Sequence, residues 1–301
     1  MNRKEFGKLL AVLRKEQRDH QNNIFTQAKL AKETGLSEVV IGNLERGSKE
    51  KLDPDILLKL ANALHLTTQE RKEFILAASN VDETQLYQAE NLIQQALDSL
   101  VSILEQLRTP AYISDGFGNL IYVNDMALAV YYLQLDALQN TSSDQPARYN
   151  LMRLLFAPEF AAQRNMLGTT WPAFAQQTML LFRTACFRFQ AHPYFREQLL
   201  PELNNAPLFR QFWQAARAQK DDLFTNFSEI TLDHPEWGAL KFASSPLRAA
   251  TPFGDLTLYA FHALGAETVE ICFKISGKAG TSAIPLAPWP HPSLLEEPSL
   301  L

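Results

Sequence analysis

The stretch at residues 26–47, TQAKLAKETGLSEVVIGNLERG, constrains this chain most, because its punctuation leaves room for two short helices and one tight turn. Thr26 is placed to cap a helix on which Ala28, Leu30, Ala31 and Thr34 share one face. Gly35 ends that helix where a left-handed residue is called for. Ser37 is placed to cap a second helix whose Val40, Ile41 and Leu44 point inward, leaving Glu38, Val39, Gly42 and Asn43 outside. An outer face of short, amide and small apolar side chains suits close approach to base edges in a major groove.

Thr26-Gln27, Leu30-Ala31, Gly35-Leu36-Ser37, Ile41 and Leu44-Glu45-Arg46-Gly47 together resemble the phage-repressor (XRE/Cro) family of helix-turn-helix DNA-binding domains. On that reading Gln27, at the start of the first helix, and Ser37, Glu38, Val39, Gly42 and Asn43 along the second face double-stranded DNA. Asn43 is suited to bridge an adenine and Val39 to touch a thymine methyl. Glu38 is suited either to accept from a cytosine or only to complement the helix dipole. Arg46, Ser48, Lys49 and Lys51 are expected to hold phosphates, chemistry that a hairpin used only for packing would not need.

The flanks complete a five-helix bundle. Residues 3–18 place Phe6, Leu9, Leu10 and Leu13 at helical spacing. Asp53-Pro54 opens a helix carrying Ile56, Leu57, Leu60, Ala61 and Leu64, and Thr67 with Glu70 forms a capping box for one running through Phe74, Ile75 and Ala78. Charge follows the same division. Residues 1–80 hold 14 Lys+Arg against 11 Asp+Glu, a balance of +3, whereas the remainder holds 14 against 22, a balance of -8. Nucleic-acid affinity therefore belongs to the N-terminus, and the acidic part is repelled by phosphate.

Residues 82–108 read as one long helix without Gly or Pro, with Leu86, Ile93, Leu100 and Leu107 recurring every seven residues. Its stripe must be buried, either against the chain's own second domain or against the same helix of a second subunit. Beyond it, residues 111–114 and 120–123 are strand candidates joined by the turn Asp115-Gly116-Phe117-Gly118-Asn119. The order strand, Gly-rich turn, strand, then a helix opening with Asn124, looks like the start of a PAS-type sensor domain. A helical region at about 150–218 is dense in large apolar residues, and further strands are expected near 227–232, 239–246, 256–262 and 269–275. Only the last of these alternates cleanly, with Val269, Ile271, Phe273 and Ile275 on one face.

Ordered segments of this half are similar to the ligand-binding domain of MmyB-like transcription regulators: Asn150-Leu151-Met152-Arg153-Leu154-Leu155-Phe156 with Pro158, Phe182-Arg183, and His192-Pro193 with Leu199 and Leu203. Pro207-Leu208-Phe209-Arg210 with Trp213, and His234-Pro235-Glu236-Trp237-Gly238, continue the match, which covers about residues 5–275. Lys241-Phe242-Ala243-Ser244-Ser245-Pro246 departs from it, since a more acidic and aromatic strand is expected there. The resemblance implies a PAS-like sheet with a helical insertion and a fatty-acyl ligand in a tunnel between them. Lining residues are then drawn from Phe174, Met179, Phe182, Phe209, Trp213, Phe242 and Tyr259, with Arg183 and Arg210 as partners for a carboxylate. A filled core would explain the same aromatic excess.

The expected class is α+β: a five-helix phage-repressor-type helix-turn-helix domain (1–80), a long linker or dimerisation helix (81–108), and a PAS-like antiparallel sheet with a helical insertion (109–282). A flexible Pro-rich tail (283–301) ends the chain. No catalytic constellation is legible. The six histidines and two cysteines lack metal-ligand spacing, there is no GxSxG elbow, and Gly277-Lys278-Ala279 fails the phosphate loop. Residues 185–190, Ala-Cys-Phe-Arg-Phe-Gln, lack the leading Gly and Asn of a flavin-adduct motif, so Cys186 reads as a small buried residue and no cofactor is expected. Cys186 and Cys272 are far apart and no secretory signal is evident, which suits a reducing cytoplasm. No apolar run reaches the roughly 18 residues of a membrane span. The leading reading is a homodimeric DNA-binding transcription regulator that senses a small apolar ligand, a fatty acid. The alternatives are a regulator whose second domain serves only dimerisation or protein docking, and an enzyme acting on a lipid-like substrate.

Overall fold

The computed structural model describes residues 1–18, 23–49, 52–79, 91–139, 145–218 and 229–295. They form two compact units, counted here over their described residues. One comprises Met1–Gln88 with Cys186–Arg196 and Ala218–Asp222, the other Ala89–Ala185, Glu197–Arg217 and Leu223–Leu301.

The first unit is helical: α1 (Arg3–Glu16), α2 (Gln27–Thr34), α3 (Glu38–Glu45), α4 (Pro54–Ala63) and α5 (Thr68–Ala78). Its boundaries are set by side chains that satisfy the free N–H groups of each first turn. Asn2 and Glu5 form a capping box on α1, Thr26 accepts from the Lys29 N–H, Ser37 from the Val40 N–H, and Thr67 with Glu70 forms the expected box on α5. Gly35 takes the left-handed conformation at φ 67°, turning the chain between α2 and α3. Phe6, Leu9, Leu30, Ile41, Leu60 and Phe74 close the core, with the Phe6 and Phe74 rings 5.1 Å apart, and Phe187 fills the same core.

In the second unit α6 (Asn91–Gln106) leads into β1 (Ala111–Ser114), β2 (Leu120–Asn124) and α7 (Asp125–Val130). A helical insertion follows, of α8 (Leu135–Gln139), α9 (Leu151–Phe156), α10 (Ala161–Met166), α11 (Trp171–Ala185), α12 (Leu200–Leu203) and α13 (Pro207–Ala218). The chain returns through β3 (Glu229–His234), β4 (Gly238–Ala249), β5 (Leu256–Ala263), α14 (Ala266–Ala279) and β6 (Ala283–Pro285). All six strands make one antiparallel sheet in the order β3-β4-β5-β1-β2-β6.

Both faces of the central strands are covered. Leu97, Leu100 and Leu104 of α6 pack on Ala111, Ile113, Ile121, Leu256 and Leu258, so this part of the apolar stripe is buried against its own sheet. Leu86 and the side chain of Ile93 lie outside the described residues. On the opposite face Tyr112, Leu120, Phe242 and Phe261 meet Met126 and Val130 of α7 and Ile271, Cys272 and Ile275 of α14.

Two expectations are corrected. Residues 269–275 are helical, within α14, because Thr268, Ile271, Cys272 and Ile275 recur at helical spacing and are buried, while Val269 and Phe273 are exposed. The acids Glu267 and Glu270 early and Lys274 and Lys278 late also suit the helix dipole. Four alternating residues were too short a window to separate the two periods. Residues 283–285, expected in a flexible tail, pair with β2 as β6, and the Trp289 and His291 rings lie 6.2 and 5.5 Å from those of Phe253 and Phe117. An edge strand tolerates proline because its outward side needs no ladder donor.

The β1–β2 turn is held by a buried polar knot. Asp115 accepts from the Phe117 and Asn119 N–H groups (2.9 and 2.8 Å) and from Asn119 Nδ2 (3.1 Å), and Asn150 Nδ2 donates to the Phe117 carbonyl (2.8 Å) and to Asn119 Oδ1 (3.1 Å). Burial pushes the Asp115 carboxyl up to about 6, against the lowering effect of those bonds. Between its ordinary value and about 6 the folded state therefore binds a proton that the unfolded state has lost, so this group's contribution to stability falls as pH rises through that window. The expected fall is about 3 kcal/mol. Urea unfolding of the wild type and Asp115→Asn from pH 4 to 7 measures it as the pH-dependent part of their difference; a flat difference would contradict it.

Candidate DNA-reading surface and ligand cavity

The candidate surface of the first unit is organised by Glu45, the last residue of α3. Arg14 of α1 donates to it through Nε (2.5 Å) and Nη2 (3.1 Å), and Gln27 of α2 through Nε2 (2.7 Å). Arg14 also donates to the Phe25 carbonyl at 2.6 Å. Both members of the Arg14–Glu45 pair are only 8% exposed, so three helices are tied through one buried charge pair. Gln27 is thereby held half-buried at the head of α2.

Ser37, Glu38 and Val39 are exposed on α3, and Val39, at 69%, has no structural reason to be apolar. Asn43 is half-buried, and its Oδ1 accepts from Arg46 Nη2 at 2.7 Å. Gly42, expected on the outside, is buried instead, because the Arg46 guanidinium lies across it; a Cβ there would meet Nη1 at 3.3 Å. Ser48 is exposed and Lys49 half-buried, while Lys51 lies outside the described residues.

The second unit contains two adjoining cavities beneath the insertion. The larger has Tyr112, Leu120 and Phe261 of the sheet on one side and Leu128, Leu138 and Leu154 on the other. Apart from tyrosine hydroxyls, its polar side chains are Gln163 and Arg164 of α10. Arg164 Nη1 donates to the Ala157 carbonyl (2.5 Å); desolvation lowers its pKa and the Glu159 charge opposes this. Among the described residues Gln163 Oε1 is buried without a hydrogen-bond partner. The smaller cavity adds Ser114, Asp115, Gln177, Thr178, Ser244 and Tyr259. Tyr112, Leu151, Phe174 and Phe261 line both. Gly118 has φ 78°, and a Cβ there would come within 2.9 Å of the Phe182 ring, so the turn admits Phe182 only as glycine.

Two family models match this chain. A helix-turn-helix model covers residues 15–71, and the MmyB-like transcription regulator ligand binding domain covers residues 96–271, more than half of the chain. The chain belongs to the MmyB-like transcription regulators. It is a DNA-binding regulator carrying a ligand-binding domain. A search of curated proteins returns no match.

Of the residues expected around a ligand of this MmyB-like regulator, Phe174 lines both cavities, and Phe182 and Tyr259 line the smaller. Met179, Phe209, Trp213 and Phe242 are buried and line neither. Phe209 and Trp213 stack at 5.7 Å, and Phe182 packs on both. Arg183 is also buried, with its guanidinium 5.3 Å from the Trp213 ring centroid, whereas Arg210 is exposed; neither lines either of these two cavities. Sequence reasoning missed Tyr112, Phe261, Gln163 and Arg164. The first is the cross-strand neighbour of Tyr259, a pairing that only the β1–β5 register reveals.

His234 accepts from the Glu236 and Trp237 N–H groups through Nδ1 (3.1 and 3.2 Å), so the His-Pro-Glu-Trp-Gly segment shapes the β3–β4 turn. Among the described residues no group of three His, Cys, Asp or Glu side chains could hold a metal ion, and no helix is long and apolar enough to cross a membrane.

Because Glu45 is the counter-charge for a buried guanidinium, Glu45→Ala is expected to destabilise the protein by about 3 kcal/mol. Thermal or urea unfolding reads this directly. A change under about 1 kcal/mol would show that the pair is screened like a surface bridge.

Proposed function

We propose that this regulator reads an inverted-repeat operator as a homodimer and senses a fatty acid in the larger cavity, as a PAS-like domain. The observation that carries the ligand reading is the apolar lining of the larger cavity, made by leucines of the insertion and aromatic rings of the sheet, with Arg164 beside it. An antiparallel sheet with a helical insertion between β2 and β3 supports the PAS-like reading. A carboxylate requires a charged partner or water, since burying it unpaired is prohibitive. Arg164 offers that partner in place of Arg183 and Arg210.

Base reading is assigned to Gln27, Ser37, Glu38, Val39 and Asn43, with Gly42 giving backbone approach once Arg46 swings to a phosphate beside Ser48, Lys49 and Lys51. Operator sites recovered by selection from random DNA provide the test. Asn43→Ala is expected to lose on the order of 1–3 kcal/mol on the selected site and little on random DNA, whereas Lys49→Ala weakens both and flattens the salt dependence. Equal losses on both DNAs for Asn43→Ala would remove Asn43 from base reading.

One helix-turn-helix reads few base pairs, which supports two copies on half-sites about one helical turn, or a multiple of it, apart. Light scattering free and on the operator checks this, a strict monomer in both being the contrary result. For the ligand, each added methylene contributes about 0.8 kcal/mol, so affinity for saturated acids is expected to rise roughly fourfold per carbon until the cavity is full. Titrating delipidated protein with acids of increasing length, and repeating with Leu154→Trp to fill the cavity, measures it. Affinity that ignores both length and filling would leave the domain as a dimerisation or docking platform.

A further inference from the structure

The smaller cavity differs in chemistry from the larger one it adjoins. Ser114 and Tyr112 are 6% and 8% exposed, stand two residues apart on one face of β1, and line this space with Tyr259. Among the described residues none of their three hydroxyls has a hydrogen-bond partner. Burial pushes the Tyr112, Tyr131 and Tyr259 phenols above the usual tyrosine range, so they stay protonated and can both donate and accept. No Lys, Arg or His lines this cavity, and Asp115 does, which excludes a second carboxylate. Asp115 already accepts three N–H donors, so it does not stand ready for an amine. A plain alkyl chain reaching this space would leave all three hydroxyls unmet, a costly arrangement.

We propose that the natural ligand is an oxygenated acyl chain, its carboxylate beside Arg164 at the larger cavity and a hydroxyl along its chain bound by Tyr112, Ser114 and Tyr259 in the smaller one. The proposal rests on the acyl-ligand reading above and adds to it the ligand class. The shared lining by Tyr112, Leu151, Phe174 and Phe261 makes one molecule spanning both spaces the natural occupant. A ligand hydroxyl satisfies donor and acceptor together, whereas the unsubstituted acid of equal length satisfies neither. Sites that hydrogen-bond a ligand hydroxyl discriminate against the analogue lacking it for this reason.

The test uses the full chain, delipidated, titrated calorimetrically with a saturated fatty acid and with its counterparts hydroxylated at mid-chain and at the chain end. One hydroxylated acid is expected to bind at least about tenfold tighter than the plain one, the equivalent of one or two net hydrogen bonds. Tyr259→Phe and Ser114→Ala are each expected to bring that ratio toward one. Equal affinities in the wild type, or tighter binding of the plain acid, would overturn the proposal while leaving the acyl-ligand reading intact. So would an unchanged ratio in both variants. If none of the acids binds, the acyl-ligand reading fails and this inference with it. The wild-type ratio does not depend on whether either variant folds.

Discussion

Burial of β1 on both faces is the constraint from which the second unit follows. Ala111 and Ile113 point to α6, while Tyr112 and Ser114 point to the insertion, so one four-residue strand carries both the packing of α6 and a wall of the smaller cavity. Its neighbour β5 is divided in the same way, with Leu256 and Leu258 on one face and Tyr259 and Phe261 on the other. A strand buried on both sides has no solvent face to mark with polar residues. The exception here is Ser114 with its flanking tyrosines, and these polar groups collect at the cavity.

The turn below that wall explains why a cavity persists where side chains might have closed it. Asp115, Asn119 and Asn150 bind the β1–β2 turn and the start of α9 into one knot, and Gly118 lets Phe182 of α11 rest on the turn. The aromatic group of Phe182, Phe209 and Trp213 then packs mainly on itself. These rings stiffen the insertion, while leucines and the sheet aromatics line the larger space.

The first unit solves a different problem. A recognition helix must offer its outer face to a partner and still be held in place, and eight residues cannot do both by packing alone. Ile41 and Leu44 bury one side of α3 while Glu45, gripped by Arg14 and Gln27, fixes its end. Asn43 and Arg46 are left paired with each other at the surface.

Local chemistry determined what could be read without a structure. Caps at Thr26, Ser37, Asp53 and Thr67, the left-handed Gly35 and the turn at Asp115 act within a few residues, so the helix-turn-helix unit and the first hairpin were legible in the sequence. The ordered motifs of the second half likewise pointed to its family. The tertiary structure alone decided the helical state of residues 269–275, the return of residues 283–285 to the sheet edge, and the cover of Arg46 over Gly42. It also decided which aromatics face a cavity. Phe209 and Phe174 look alike in sequence, yet one is sealed in a ring cluster and the other lines two cavities, because helix orientation and strand register are set by contacts between distant segments. Arg164 and the Tyr112–Tyr259 pair were illegible for the same reason, since no local pattern records which side chains a fold brings together.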